Sequence, residues 1–178
     1  MKTKMIACLL PLFTVAGLLA AKDSGPVRRA ADSRINVQFV EPEKFTDLHD
    51  RWTGTSASTR EHVLGELRKH LQQRGETVLR EDLHLNIRVT DVDLAGDFEP
   101  GRAPHADDVR IIRTIYPVRI KLQFQLSDST GTVLAEGERT LSDFGRIGDP
   151  FPRSDPLRYE KEVLRDWMHK EFRAWRKE

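Results

Sequence analysis

The stretch "LHLNIRVTDVDLAGD", residues 83–97, decides the fold because it reads as a strand that changes phase part-way along. Leu83, Leu85, Ile87 and Val89 alternate with His84, Asn86, Arg88 and Thr90. Successive side chains of a strand project to opposite faces, so one face is apolar and the other polar, as in a sheet covered on one side. Continued past Val89, the alternation puts Asp91 and Asp93 on the core face, and Val92 and Leu94 on the polar one. A bulge, a sheet edge or basic partners must resolve that conflict. Arg158, Lys161 and Arg119 are the cations nominated, with Arg158 favoured for a structural ion pair.

Upstream, "INVQFV" places Ile35, Val37 and Phe39 on one face and stops at Glu41-Pro42. The following stretch has turn residues and no period, so a packed loop is expected there. A helix comes next. Ser58 and Glu61 stand in capping-box spacing, Val63, Leu64, Leu67 and Leu71 form one stripe, and Gly75 is expected as its left-handed C-terminal residue. A strand-helix-strand unit makes the two strands parallel if they are neighbours.

Downstream, a Gly- and Pro-containing loop leads into the run 109–127, which puts Val118, Ile120, Leu122, Phe124 and Leu126 inward. Pro117 lacks an N–H and belongs at an edge, a bulge or a strand start. "DSTG", residues 128–131, reads as a hairpin loop into a strand over 132–141. The expected register sets Ser127 opposite Thr132, Lys121 opposite Glu138, Phe124 opposite Ala135 and Leu126 opposite Val133. A second Gly/Pro-rich connection precedes a last helix, with Asp155 expected as N-cap and Pro156 as the first helical residue. Its stripe is Val163, Leu164, Trp167, Met168, Phe172 and Trp175. The expected fold is a single α+β domain over 35–176: a four-stranded mixed sheet, strand-helix-strand then antiparallel hairpin, with two helices packed on one face.

The first residues set Lys2 and Lys4 before an apolar run ending in Ala20 and Ala21, the layout of a secretory signal peptide. The run is short for a span and broken by Pro11 and Gly17, so residues 1–21 are expected to be cleaved near Ala20 or Ala21, with 22–34 a flexible leader. No stable membrane span then remains. Cys8 is the sole cysteine and lies in the signal, so the mature chain carries no thiol for a disulfide, a zinc-thiolate site or a nucleophile. Loss of two lysines turns 29 basic and 28 acidic side chains into 27 and 28, a net charge of about −1. The signs are interspersed, with no basic stripe, so nucleic acid is not an expected partner.

Several separated stretches, "VQFVEPEKFTD", "TDVDLAGD", "YPVRIKLQFQL", "LSD" and "DPLRYEKEVLRDW", occur in the same order as in a bacterial exported family, and the chain resembles domain of unknown function family 3016 over the whole predicted domain. The resemblance implies an exported, Gram-negative-type setting. It brings no assigned activity, ligand or catalytic residue.

The carboxylates of "TDVDLAGD" are the candidates for chemistry. Read as a calcium loop, Asp91, Asp93 and Gly96 take the first, third and sixth positions. The loop then fails, with Ala95 at a ligand position and Arg102 where the bidentate glutamate belongs. A looser cation site from Asp91, Asp93 and Asp97 remains. As an acid and base pair, Asp91 and Asp93 would stand about 7 Å apart on one strand face, with no apolar pocket implied. The hydroxyl-aspartate pairs Thr46-Asp47, Thr90-Asp91, Ser127-Asp128, Ser142-Asp143 and Ser154-Asp155 mostly fall at element ends, where such side chains satisfy free backbone donors. That pattern favours architecture. No histidine pair has helical zinc spacing, no "GxSxG" occurs, and "DFG" at 143–145 lacks the other kinase motifs.

The expectation is an exported, periplasmic, non-enzymatic domain that binds an envelope or periplasmic protein or another envelope component, without cofactor. Its candidate polar cluster is Asp91, Asp93, Asp97 and Arg158. The alternative is a cation-binding module or cation-dependent hydrolase using Asp91, Asp93 and Asp97.

Overall fold

The computed structural model describes residues 33–48, 56–98, 110–113, 115–143 and 155–177. The signal segment and the leader as far as residue 32 lie outside the described residues. In chain order the elements are β1 (Ile35–Phe39), α1 (Ala57–Val78), β2 (Leu83–Asp93), β3 (Asp97–Phe98), β4 (Arg110–Ile111), β5 (Val118–Asp128), β6 (Val133–Asp143) and α2 (Arg158–Glu171).

The main sheet has the order β1-β2-β5-β6. β1 runs parallel to β2, and β2, β5 and β6 are successively antiparallel. This is the expected mixed sheet. Alternate residues of β2 and β5, from Leu83 to Val89 and from Val118 to Leu126, are buried in one core with Leu64, Leu67 and Leu71 of α1 and Val163, Leu164, Trp167 and Met168 of α2. Burying such side chains contributes about 1.5–3 kcal/mol each, which is why alternation fixes which face meets the helices. Phe124, Trp167 and Phe172 meet edge to face at 5.4–5.8 Å between centroids. β5 starts directly after Pro117, the position its missing N–H allows.

Four local expectations need correction. The N-cap of α1 is Ser56, whose hydroxyl accepts from the Thr59 N–H at 3.2 Å, and not Ser58. Gly75 lies inside α1, and its reason is proximity: a Cβ there would come within 2.8 Å of the Ile35 side chain. Asp155 does not cap α2, which starts at Arg158; it closes the preceding turn by accepting from the Leu157 N–H at 2.9 Å. The hairpin register moves by two residues, so that Leu126 faces Ala135, Phe124 faces Gly137 and Leu122 faces Arg139.

That register change has a local cause. The pairing slips between Leu126 and Ser127, and the loop closes with Gly131, at φ +89°, donating to the Asp128 carbonyl at 3.1 Å. An even shift preserves the facing of every side chain, so polar residues still meet polar ones. It also places Gly137 beside Phe124, where Arg139 lays its guanidinium 5.3 Å from the Phe124 ring centre. Two short strands, β3 and β4, form a separate ladder that alternation did not suggest.

Candidate functional site

The phase conflict of β2 is resolved by a bulge between Val89 and Asp91. The extra residue, Thr90, returns Val92 to the core opposite Ile120 and turns Asp91 and Asp93 to the other face. Each aspartate then stands directly across from a cation of β5, Asp91 from Lys121 and Asp93 from Arg119.

Asp91 is closed in. It accepts from the backbone N–H and the hydroxyl of Thr46, both at 3.0 Å, and pairs with the Lys121 ammonium at 3.2 Å. Burial opposes its ionisation, but the bonds from Thr46 and Lys121 outweigh that and hold the carboxyl below its ordinary range. Asp93 has the opposite environment. Burial, the charge of Asp47 and a hydrogen bond shared with Asp47 raise it to about 6, and Arg119, 4.0 Å away, offsets this only in part.

Around these two acids, carboxylates and one guanidinium tie four segments together. Asp47 accepts from the Leu94 N–H at 2.8 Å and from Arg110 at 2.9 Å. The same Arg110 nitrogen donates to the carbonyls of Leu94, at 3.2 Å, and Gly96, at 2.7 Å. Gly96 has φ +86° and would set a Cβ 2.7 Å from the Ile111 carbonyl oxygen. Its glycine therefore serves a turn and the close approach of β4, not a cation loop. Glu160, in the first turn of α2, is 2% exposed and accepts from the Ala95 N–H at 2.8 Å. Its second oxygen has no partner, and burial pushes its carboxyl up.

Of the nominated cations, Arg119 pairs with Asp93, while Asp91 takes Lys121, which is not among them. The Arg158 guanidinium lies 4.4 Å from the Tyr159 ring centre and donates to its hydroxyl. Lys161 bridges Glu66 at 3.1 Å and Asp155 at 2.9 Å, joining α1 to α2. Asp93 and Asp97 line a cavity of about 310 Å³ with Asp47, Tyr116 and Arg119. Among the described residues no three acidic, histidine or cysteine side chains converge in a metal-binding geometry. Asp91 is turned into its own contacts instead of toward Asp97.

Four of the five hydroxyl-aspartate pairs use their carboxylate on a backbone donor. Asp47, Asp91, Asp128 and Asp155 each accept a backbone N–H, from Leu94, Thr46, Thr130 and Leu157 respectively. The roles of Arg110 and Glu160 carry no comparable signal in the sequence, since their partners are backbone groups and acids 14 to 65 residues away.

The family model described as "Protein of unknown function (DUF3016)" matches residues 33–170, which hold every strand, α1 and nearly all of α2. The chain belongs to the DUF3016 family. No curated protein matches it. Among solved structures, a minor lipoprotein from Acinetobacter baumannii aligns with 79% of this chain and 89% of its own at 10% identity, with a TM-score of 0.28, and nothing is transferred at that level. Among the described residues of this DUF3016 domain, no helix is long and apolar enough to cross a membrane.

Among the described residues no element covers the other face of the sheet. Away from the helices, β1, β2 and β5 present Asn36, Asn86, Arg88, Gln123 and Gln125, and β6 adds Glu136 and Glu138, along a hollow of about 620 Å³. The amides of Asn36 and Asn86 bond each other at 3.2 Å across the parallel pair. The surface offers donors and acceptors on a paired ladder, with Ile87 and Phe124 between them.

Proposed function

We propose that this DUF3016 domain is an exported envelope protein that binds and does not catalyse, with its ligand lying across the open, amide-rich sheet face. The single observation that carries the reading is that hollow, where hydrogen-bonding side chains of four strands face outward while Asp47 and Asp91 are spent on internal contacts. Export is supported by the N-terminal layout of Lys2, Lys4 and the apolar run to Ala21. The matching ligand is a polymer rich in hydroxyl and amide groups, such as the N-acetylated glycan of a bacterial wall.

The test has two arms. Full-length protein produced in a Gram-negative host should be recovered from the periplasm with Ala21 or Lys22 as its first residue. Mature protein should co-sediment with purified wall sacculi, and an Asn86→Ala/Gln125→Ala variant should remain in the supernatant while melting normally. Equal sedimentation of that variant removes the sheet face from the reading. Turnover in a broad hydrolase screen, lost on Asp91→Asn, removes the non-enzymatic one.

A further inference from the structure

β6 forms one edge of the sheet, 11 residues long, and among the described residues no strand pairs with its outer side. Such an edge presents backbone N–H and C=O groups to any extended chain. Beside it, between β6 and α2, runs a groove of about 400 Å³ with an apolar strip of Leu141, Val163 and Trp167, rimmed by Asp143, Asp166 and Glu171 and by Lys170. Trp167 is only 5% exposed, so its ring forms the floor of the groove.

The charges of β6 select the occupant. On the face away from the helices, Glu136 and Glu138 stand exposed beside Gln125 and Gln123, at 3.1 and 3.5 Å. Arg139, the one basic residue of β6, is held from below by both oxygens of Glu171 at 2.8 and 2.7 Å. An incoming strand therefore meets acids on one face and the groove on the other. A second copy of β6 is the wrong occupant, because pairing the strand with itself gathers four glutamates on one face, and like charges across strands destabilise.

We infer that β6 and the groove beside α2 form a strand-addition site for an extended peptide segment with alternating basic and apolar residues. Its basic side chains face Glu136 and Glu138. Its apolar side chains enter the groove beside Leu141 and Trp167. This goes beyond the proposed envelope role and depends on neither export nor the glycan ligand.

The probe is an end-blocked heptapeptide of alternating Lys and Val, titrated into the mature protein and followed by amide exchange and the indole proton signals. Alternate amides of β6 should exchange more slowly and the Trp167 indole proton should shift. A Glu136→Lys/Glu138→Lys variant should bind about tenfold more weakly, from two reversed cross-strand pairs. The inference is overturned by no binding at millimolar peptide, by binding that leaves β6 exchange unchanged, or by equal binding of a peptide with Pro for each Val, which cannot donate to a ladder.

Discussion

Asp93→Asn should make the protein more stable at neutral pH, and less markedly so in mild acid. In the folded chain Asp93 rises from an ordinary value of 3.8 to about 6, because burial and the neighbouring Asp47 disfavour its charged form. A folded-state pKa above the unfolded one means that the native protein binds the proton more tightly. Its contribution to stability is greatest below about pH 3.8, declines between about 3.8 and 6, and is fully lost above that range. The span of about 2.2 units, at about 1.36 kcal/mol per unit, sets an upper bound near 3 kcal/mol. The side chain is 27% exposed and shares its proton with Asp47, so about 1–2 kcal/mol is the working figure. Asparagine keeps the shape and still donates to Asp47, but never carries the charge. Urea unfolding of both proteins at pH 4.5, 6 and 7.5 measures the effect. The gap at pH 4.5 should be about a third of that at pH 7.5, where the variant should lead by about 1–2 kcal/mol. A variant that is weaker at pH 7.5, or a gap that does not change with pH, refutes the carboxyl pair.

Asp91→Asn should show the reverse signature, costing about 1–2 kcal/mol at pH 7.5, with the loss fading as pH falls through the depressed folded pKa, by the same urea titrations. Gly75→Ala should lower the melting temperature despite the better helix propensity of alanine, because the new Cβ meets Ile35 at 2.8 Å; Gly65→Ala, with nothing within 4 Å, should raise stability by up to about 1 kcal/mol. Arg34→Ala should cost about 1–3 kcal/mol in denaturant unfolding, since its guanidinium donates to the carbonyls of Glu76 and Leu79 at the end of α1, at 2.9 and 3.2 Å. Millimolar calcium or magnesium should leave the melting temperature where it is; a rise that Asp93→Asn abolishes would restore the cation reading.

The sheet and both helices are legible in the sequence because alternation and helical stripes report burial directly, and burial dominates the energetics of those elements. The same logic exposes the trouble after Val89, where no continuous strand can satisfy both Val89 and Val92. What it cannot supply is the choice among remedies. A bulge at Thr90 costs one ladder position and returns Val92 to the core, whereas a flat continuation would bury two carboxylates. Caps and register are less legible, being decided by small differences. Ser58 has a glutamate at capping-box spacing and Ser56 has none, yet Ser56 is the cap, and a two-residue slip of the hairpin leaves every facing unchanged. Gly75 illustrates a further limit: a glycine required by a neighbour 40 residues away looks the same as one required by a turn.

The acids at the end of β2 are best understood by asking what would come loose without them. Leu94, Ala95 and Gly96 leave the ladder of the main sheet, so their backbone groups need other partners. Asp47 takes the Leu94 N–H, Glu160 the Ala95 N–H, the Tyr116 carbonyl the Gly96 N–H, and Arg110 two of the carbonyls. These partners come from the segment after β1, from α2, from the turn before β5 and from β4. Acids that hold a turn are told from acids kept for chemistry by what is lost on substitution, and Asp47 and Asp91 already accept backbone N–H groups. Asp93 is the exception that makes the distinction testable, since its tension lies with another acid of the same chain. If relieving that tension with asparagine gains stability and loses no binding, the acids hold the turn, and recognition belongs to the surfaces they leave exposed.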